Sequence, residues 1–352
     1  MAKGLKAVLI AVADSRQAVI LLDVRLPSVV GCLFFVLGGM GVLASDGAEP
    51  VEKLVFVSCH QHARKAPALK TIADWKPDVF IWMGDNIYGD SQDMAVLRKK
   101  YGLVLANTDY AKIREEGTVL GTWDDHDYGA NDVGKEFAPK AESQQEFLDF
   151  LGVAKDSPRR SRAGVYSRQD LGPAGQMVRV ILLDTRYHRD ELGSNGAILG
   201  EEQWQWLEES LRESPAQVNL LVSSIQILPS QHRFEKWSNF AKERARLLAL
   251  LAEEEVPPVV LLTGDRHLGE ISLDETSCGY PLYEITSSSL NHSFGGNPRE
   301  VNRLRLGKNY GRNNFGSLTI GWKGGFPRIS AVISDENGKS RRKVAFLLSR
   351  TE

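Results

Sequence analysis

The stretch DVFIWMGDNIY, residues 78–88, sets the architecture. Asp78 to Asp85 is an apolar run that closes on Gly-Asp, and it reads as a buried strand. Around it, strand-like and helix-like segments alternate from Lys53 onward. LVFVS (54–58) is β-branched and aromatic, and ALKTIADW (68–75) forms a short helix ended by Pro77. VRVILLDT (178–185) is a further strand, and the helix EEQWQWLEESLRE (201–213) is followed by the strand VNLLVSSIQI (218–227). The helix KERARLLALLAEEE (242–255) precedes the strands VPPVVLLTGD (256–265) and YPLYEITSSS (280–289). GSLTIGW, RISAVISD and RKVAFLLS, joined by turn-rich segments, predict an antiparallel edge or a second sheet. Residues 135–176 have weak apolar patterning and read as helices and loops.

In open α/β sheets ligands bind beyond the carboxyl ends of the strands. Ser58-Cys59-His60 follows the first strand and Gly84-Asp85-Asn86-Ile87-Tyr88 the second. The acidic stretch GTWDDHDYGAND (121–132) follows a short run at Val119-Leu120, and Gly264-Asp265-Arg266-His267 follows VVLLT. Carboxylates crowded like this repel one another unless they are solvated or hold a cation. Several strand ends thus carry metal-ligand residue types where a site belongs.

The 352 residues are enough for one large α/β domain, and 42% hydrophobic with 25% charged residues is ordinary for a globular chain. A formal charge of −2 offers no basic face for a nucleic acid. LPSVVGCLFFVLGGMGVLAS (26–45), preceded by Arg25, has the pattern of a secretory leader. The expected organisation is a leader over 1–45, retained as an anchor if uncleaved, and one catalytic domain over 46–352. The expected location is periplasmic or extracellular, with membrane contact only through an uncleaved leader.

GD-N-x-Y after a strand, W-D-D-H-D and G-D-R-H together resemble the alkaline phosphatase D (PhoD-like) family, a branch of the calcineurin-like metallophosphoesterases. The segment ILPSQHRFEKWSNF (227–240) is similar to that family too. The resemblance implies a four-layer α/β/β/α sandwich with late antiparallel strands. Only a few residues separate the leader from the first strand, so the immunoglobulin-like N-terminal domain of longer members is expected to be absent.

By that resemblance Cys59, Asp85, Tyr88, Asp125, Asp265 and His267 are metal ligands, with Asp124 competing with Asp125. Asp85 bridges two ions. Ferric iron suits the thiolate, phenolate and imidazole, and calcium suits the carboxylates. Zinc, manganese and magnesium are the alternatives. The implied reaction is attack of a metal-bridging hydroxide on a phosphate ester, with His126 as general acid and Arg266 clamping a phosphate oxygen. Asn131, Gln226 and Arg186 are expected to contact substrate, which would be a small-molecule or polymer phosphate ester.

Blander readings stand beside these. Cys59 and Cys278 would make one disulfide in an oxidising compartment. Asp127 and Asp132 would cap turns or orient ligands, His232 and His292 would be surface residues, and Trp237 and Phe240 would lie in the core. Rival functions are a strict phosphodiesterase on lipid or polymer substrates and a non-catalytic exported metal-binding protein.

Overall fold

Alternation along the early strands divides their side chains between two cores. In β1 (Lys53–Val57) Leu54 and Phe56 enter one core and Val55 and Val57 another. In β2 (Val79–Met83) Val79, Ile81 and Met83 join the first set, and Phe80 and Trp82 the second. Successive strand residues point to opposite faces, so a run buried throughout needs cover on both. The computed structural model, which describes residues 49–350 other than 298 and 325, shows both covers.

In chain order α1 (Ala68–Trp75) links the first two strands, and α2 (Met94–Leu105) and α3 (Thr108–Glu116) lead into β3 (Thr118–Thr122). The single turn α4 (Asp125–Tyr128) and α5 (Lys140–Phe150) precede β4 (Ser167–Leu171) and β5 (Val178–Leu182). Then come α6 (Glu201–Arg212), β6 (Val218–Ser223), α7 (Ala241–Ala252) and β7 (Val259–Thr263). The hairpin β8 (Gly269–Asp274) and β9 (Leu282–Ser287) is followed by β10 (Asn314–Gly321), β11 (Arg328–Asp335) and β12 (Ser340–Leu347).

Two six-stranded sheets result, in the orders β12-β11-β10-β1-β2-β3 and β4-β5-β6-β7-β9-β8. β1, β2 and β3 run parallel, as do β5, β6, β7 and β9. Leu54, Phe56 and Ile81 of one sheet share a core with Val180, Leu220 and Leu262 of the other. Outside the first sheet, Leu69 and Ile72 of α1, Tyr101 of α2, Tyr110 of α3 and Phe147 of α5 pack on Phe80 and Trp82. Outside the second, Trp204 and Leu207 of α6 and Leu247 and Leu251 of α7 pack on Ile181, Leu221 and Leu261. This is the α/β/β/α sandwich that the resemblance implied.

Of the two alternatives for the late strands, the antiparallel edge holds: β10 pairs antiparallel with β1 and extends the first sheet. Two local readings change. Residues 135–176 contain an edge strand, β4, with the polar sequence SRQDL, held by its antiparallel ladder to β5 rather than by apolar burial. The run 218–227 leaves the sheet at Ser223. The helices α2 and α3 start on side-chain caps: Asp93 accepts from the Ala95 amide and Asn107 from the Asp109 and Tyr110 amides. The leader lies outside the described residues. Among the described residues no helix is long and apolar enough to cross a membrane.

Candidate metal centre

The carboxyl ends of the parallel strands of both sheets meet at one place, and two glycines permit it. A Cβ on Gly84, whose φ is +101°, would lie 2.5 Å from the Asp124 Cβ, so only glycine lets the end of β2 reach the end of β3. A Cβ on Gly264 would lie 2.6 Å from the Ser58 Oγ, where β7 of one sheet meets β1 of the other. Cys59, Asp85, Asp265 and His267 all have positive φ, between 52° and 65°. Non-glycine residues enter that region at a cost, and they do so mostly where a site fixes them.

Asp85 is the centre of the cluster. Its Oδ2 lies 3.5 Å from the Cys59 Sγ and accepts from the Tyr88 hydroxyl at 3.1 Å. The Tyr88 hydroxyl is also 3.4 Å from the His267 Nε2. Donor atoms of Cys59, Asp85 and His267 lie within 4.8 Å of one another, as do those of Asp85, Asp125 and His126. Asp85 belongs to both groups. One group is thiol, carboxylate and imidazole with a phenol beside it, and the other carries two carboxylates and an imidazole.

The electrostatics call for positive charge. Asp85 Oδ1 is buried with no hydrogen-bond partner. Burial, then the neighbouring Cys59 and Asp125, push the Asp85 carboxyl well above its usual range. Burial and Asp125 raise Asp265 to about 6 although Arg266 opposes them. Burial, then Asp265, raise the Cys59 thiol. Cations between the two donor groups would satisfy the orphaned oxygen and reverse these shifts. The residues present therefore fit a pair of metal ions that share Asp85.

A second layer holds these groups. Asp127 accepts from the Asp124 amide at 2.6 Å, the Asn86 side-chain amide at 2.5 Å and the Asp85 amide at 3.3 Å. It thereby ties the ends of β2 and β3. The Ser288 Oγ sits 3.1 Å from the Cys59 Sγ and accepts from the His267 amide at 2.8 Å. The His267 Nδ1 bonds to the His292 carbonyl, which turns Nε2 toward Tyr88. His126 Nδ1 pairs with Asp90 Oδ1 at 2.6 Å. Burial works against a charged imidazole there, but Asp90 and then Asp125 outweigh it and raise His126 to about 9.

A cavity of about 720 Å³ opens over the cluster, lined among others by Asp125, His126, Asp265, Arg266 and His267. Its rim carries the exposed apolar side chains Leu192, Phe234 and Phe294. Phe294 stacks on the His267 ring at 3.9 Å.

The sequence and the fold match known proteins. A family model described as PhoD-like phosphatase matches residues 54–313. The chain belongs to the PhoD-like phosphatase family. It is 24% identical over 317 residues to alkaline phosphatase D of Bacillus subtilis (strain 168), a match spanning 74% of this chain and 54% of that protein. The chain thus spans about half the length of that curated relative. Its fold is similar to that of a solved PhoD structure, with TM-score 0.70, 19% identity and coverage of 87% of this chain and 72% of that one. It is also similar to a dimetal phosphatase from Danio rerio, with TM-score 0.55, 14% identity and coverage of 86% and 100%. A third similarity is to the protein described as the anchor in the inner membrane complex of Plasmodium, with TM-score 0.58, 14% identity and coverage of 86% and 90%. At these identities the structural likenesses show the fold.

Within this PhoD-like chain the expected site residues divide into three sets. Cys59, Asp85, Tyr88, Asp125, His126 and His267 come together at the cluster, with the half-buried Asp265 close to Asp125. Arg266 and Asn131 line the cavity. Asp124, Arg186 and Gln226 are placed otherwise. Asp124 stands outside both donor groups, and its Oδ1 accepts from Arg186 Nε at 2.6 Å and from Ser224 at 2.7 Å. Arg186 is wholly buried and also pairs with Glu235 at 2.7 Å, so it is a counter-ion behind the cavity wall and not a phosphate clamp. Gln226 is buried and donates to Glu270 at 2.7 Å and Thr286 at 2.8 Å, away from the cavity lining.

The disulfide reading is corrected, since both cysteines are free and Cys278 packs in the core beneath α7. His232 is buried and not a surface residue. Trp237 and Phe240 lie in the core. Sequence reading missed Asp90, Ser288, Glu235 and Glu300. Glu235 lies in the family-like segment 227–240, whereas the other three carry no motif signal, and only the fold brings all four to the site.

Proposed function

We propose that this chain hydrolyses phosphate esters with a pair of metal ions held across Asp85. The observation that carries the proposal is two donor groups sharing the buried carboxylate of Asp85, with Asp125, His126 and His267 of those groups lining a cavity. Ferric iron at Cys59, Tyr88 and His267, and calcium at Asp85, Asp125 and Asp265, match the softness of each donor set. When bound, such ions supply positive charge to phosphoryl oxygens and acidify water.

The chain's own groups do the remainder. His126 stands in the cavity lining with Nδ1 committed to Asp90, which leaves Nε2 to hand a proton to the departing alkoxide. Tyr88 packs against that imidazole at 4.2 Å and fixes its plane. Asp127 and Ser288 hold the backbone of Asp85 and His267, so the donors need little reorganisation. The pattern over residues 26–45 supports export to the periplasm or the cell exterior.

The test is hydrolysis of p-nitrophenyl phosphate and bis-p-nitrophenyl phosphate by the full chain supplied with iron and calcium, alongside elemental analysis of bound metal. Turnover that is lost in His126→Ala while metal is retained supports the reading. Two bound metals with no turnover on either ester would instead favour a binding protein.

A further inference from the structure

The inference concerns Arg266, and it rests on the phosphatase reading above. Arg266 is the buried arginine of the cavity lining, whereas Arg233 is exposed at the rim. A free guanidinium beside the cluster would favour substrates of higher negative charge. Arg266 is not free. Its Nη2 lies 2.6 Å from the Glu300 Oε1, and the Phe234 ring covers its guanidinium at 4.4 Å. The Arg266 and Glu300 side chains are only 4% and 13% exposed, so solvent screens the pair weakly.

Glu300 is itself fixed. Arg305 Nη1 donates to its carbonyl at 2.8 Å, and the Glu300 amide donates to the Asn297 carbonyl at 3.0 Å. Arg305 in turn is tied to the buried Glu270. Behind the cavity, Arg186 and Arg189 are neutralised by Asp124 and Glu235. Among the described residues, the buried guanidiniums of Arg186, Arg189, Arg266 and Arg305 are thus each matched by a carboxylate.

A phosphate monoester carries close to two negative charges above neutral pH, since its second pKa is about 6, and a diester carries one. We propose that Glu300 is a specificity-determining residue: by neutralising Arg266 it sets the cavity to accept singly charged phosphodiesters over doubly charged monoesters. Whatever charge bound ions present, the buried charge that this chain adds beside them is set by the Arg266–Glu300 pair.

The test is a charge cycle on the full chain with iron and calcium supplied, at pH 8. The readout is the ratio of kcat/KM for p-nitrophenyl phosphate to that for bis-p-nitrophenyl phosphate. Glu300→Gln leaves an unbalanced cation and raises the ratio roughly tenfold, the scale of one unit charge a few ångströms away in a partly screened site. Arg266→Gln leaves an unbalanced anion and lowers it. The double variant is neutral again and returns the ratio to near the wild-type value, whatever happens to the absolute rates. Binding of inorganic phosphate and of dimethyl phosphate, measured by calorimetry, shifts in the same sense without turnover.

A double variant whose ratio stays as low as that of Arg266→Gln overturns the inference, because Arg266 would then be gripping the dianion directly. A ratio unmoved by all three variants overturns it too, with the phosphatase reading intact. A wild-type chain that turns over neither ester ends both.

Discussion

His126 Nδ1 lies 2.6 Å from Asp90 Oδ1, and Asp90 holds this position with a φ of 46°. The bond fixes which imidazole nitrogen faces the cavity. Asp90→Asn keeps the shape and removes the charge. We expect kcat to fall by about 10–100-fold with little change in KM, the usual cost of losing a supporting partner. Steady-state kinetics check this, and an unchanged kcat would mean that His126 keeps its orientation without Asp90.

The Arg186 ion pairs give a stability prediction. Arg186, Asp124 and Glu235 side chains are almost wholly buried, with contacts of 2.5 Å to Asp124 and 2.7 Å to Glu235. Arg186→Met strands the buried Asp124 and leaves Glu235 with Arg189 as its cation, and breaking such a network from one side costs about 3–5 kcal/mol. Denaturant unfolding reads this as a lower midpoint. A loss below about 1 kcal/mol would show that the carboxylates find other partners.

Glu284 predicts a pH dependence away from the cluster. It is buried on β9 and accepts from the Leu228 amide at 2.6 Å and from Thr263 at 2.9 Å. Burial raises its carboxyl to about 7 although these bonds oppose the shift. Between its unfolded value of about 4.5 and 7, the folded state binds more protons than the unfolded state. Its contribution to stability is therefore full below about 4.5 and is lost as pH rises toward 7. Glu284→Gln should flatten the stability profile across that window. Identical profiles for variant and wild type would place the group's titration elsewhere.

Tyr88 predicts colour. Burial and then Asp85 push its phenol up when no cation is present, and a ferric ion at the Cys59 corner would invert that balance. Iron-loaded protein should show a visible phenolate-to-iron band that Tyr88→Phe abolishes while bound iron persists. A colourless, iron-replete wild type removes Tyr88 from the ligand set.

Much of the site was legible because strand ends are legible. Apolar runs closing on Gly-Asp, and a His within a run of carboxylates, mark both the end of a strand and the chemistry beyond it. Cys59, Asp85, Tyr88, Asp125, Asp265 and His267 follow such strand ends, and the fold brings them close to one another. The polar edge strand β4 was not legible, since its ladder to β5 compensates for weak apolar patterning. The roles of Asp124 and Arg186 were not legible either. Asp124 and Asp125 are adjacent and chemically identical, and only the turn of α4 points one toward Asp85 and the other toward Arg186.

Local sequence carries the alternation of strands and helices, the buried strand that closes on Gly84-Asp85, and the residue types at the strand ends. These follow from local periodicity and from side-chain chemistry, which neighbouring residues carry. Tertiary structure alone decided which charges meet. Asp124 lies 62 positions from Arg186 in the chain, and Arg266 lies 34 from Glu300. Pairing at that range depends on how two sheets and their loops pack, because the energy of a buried charge is set by the partner it finds in space.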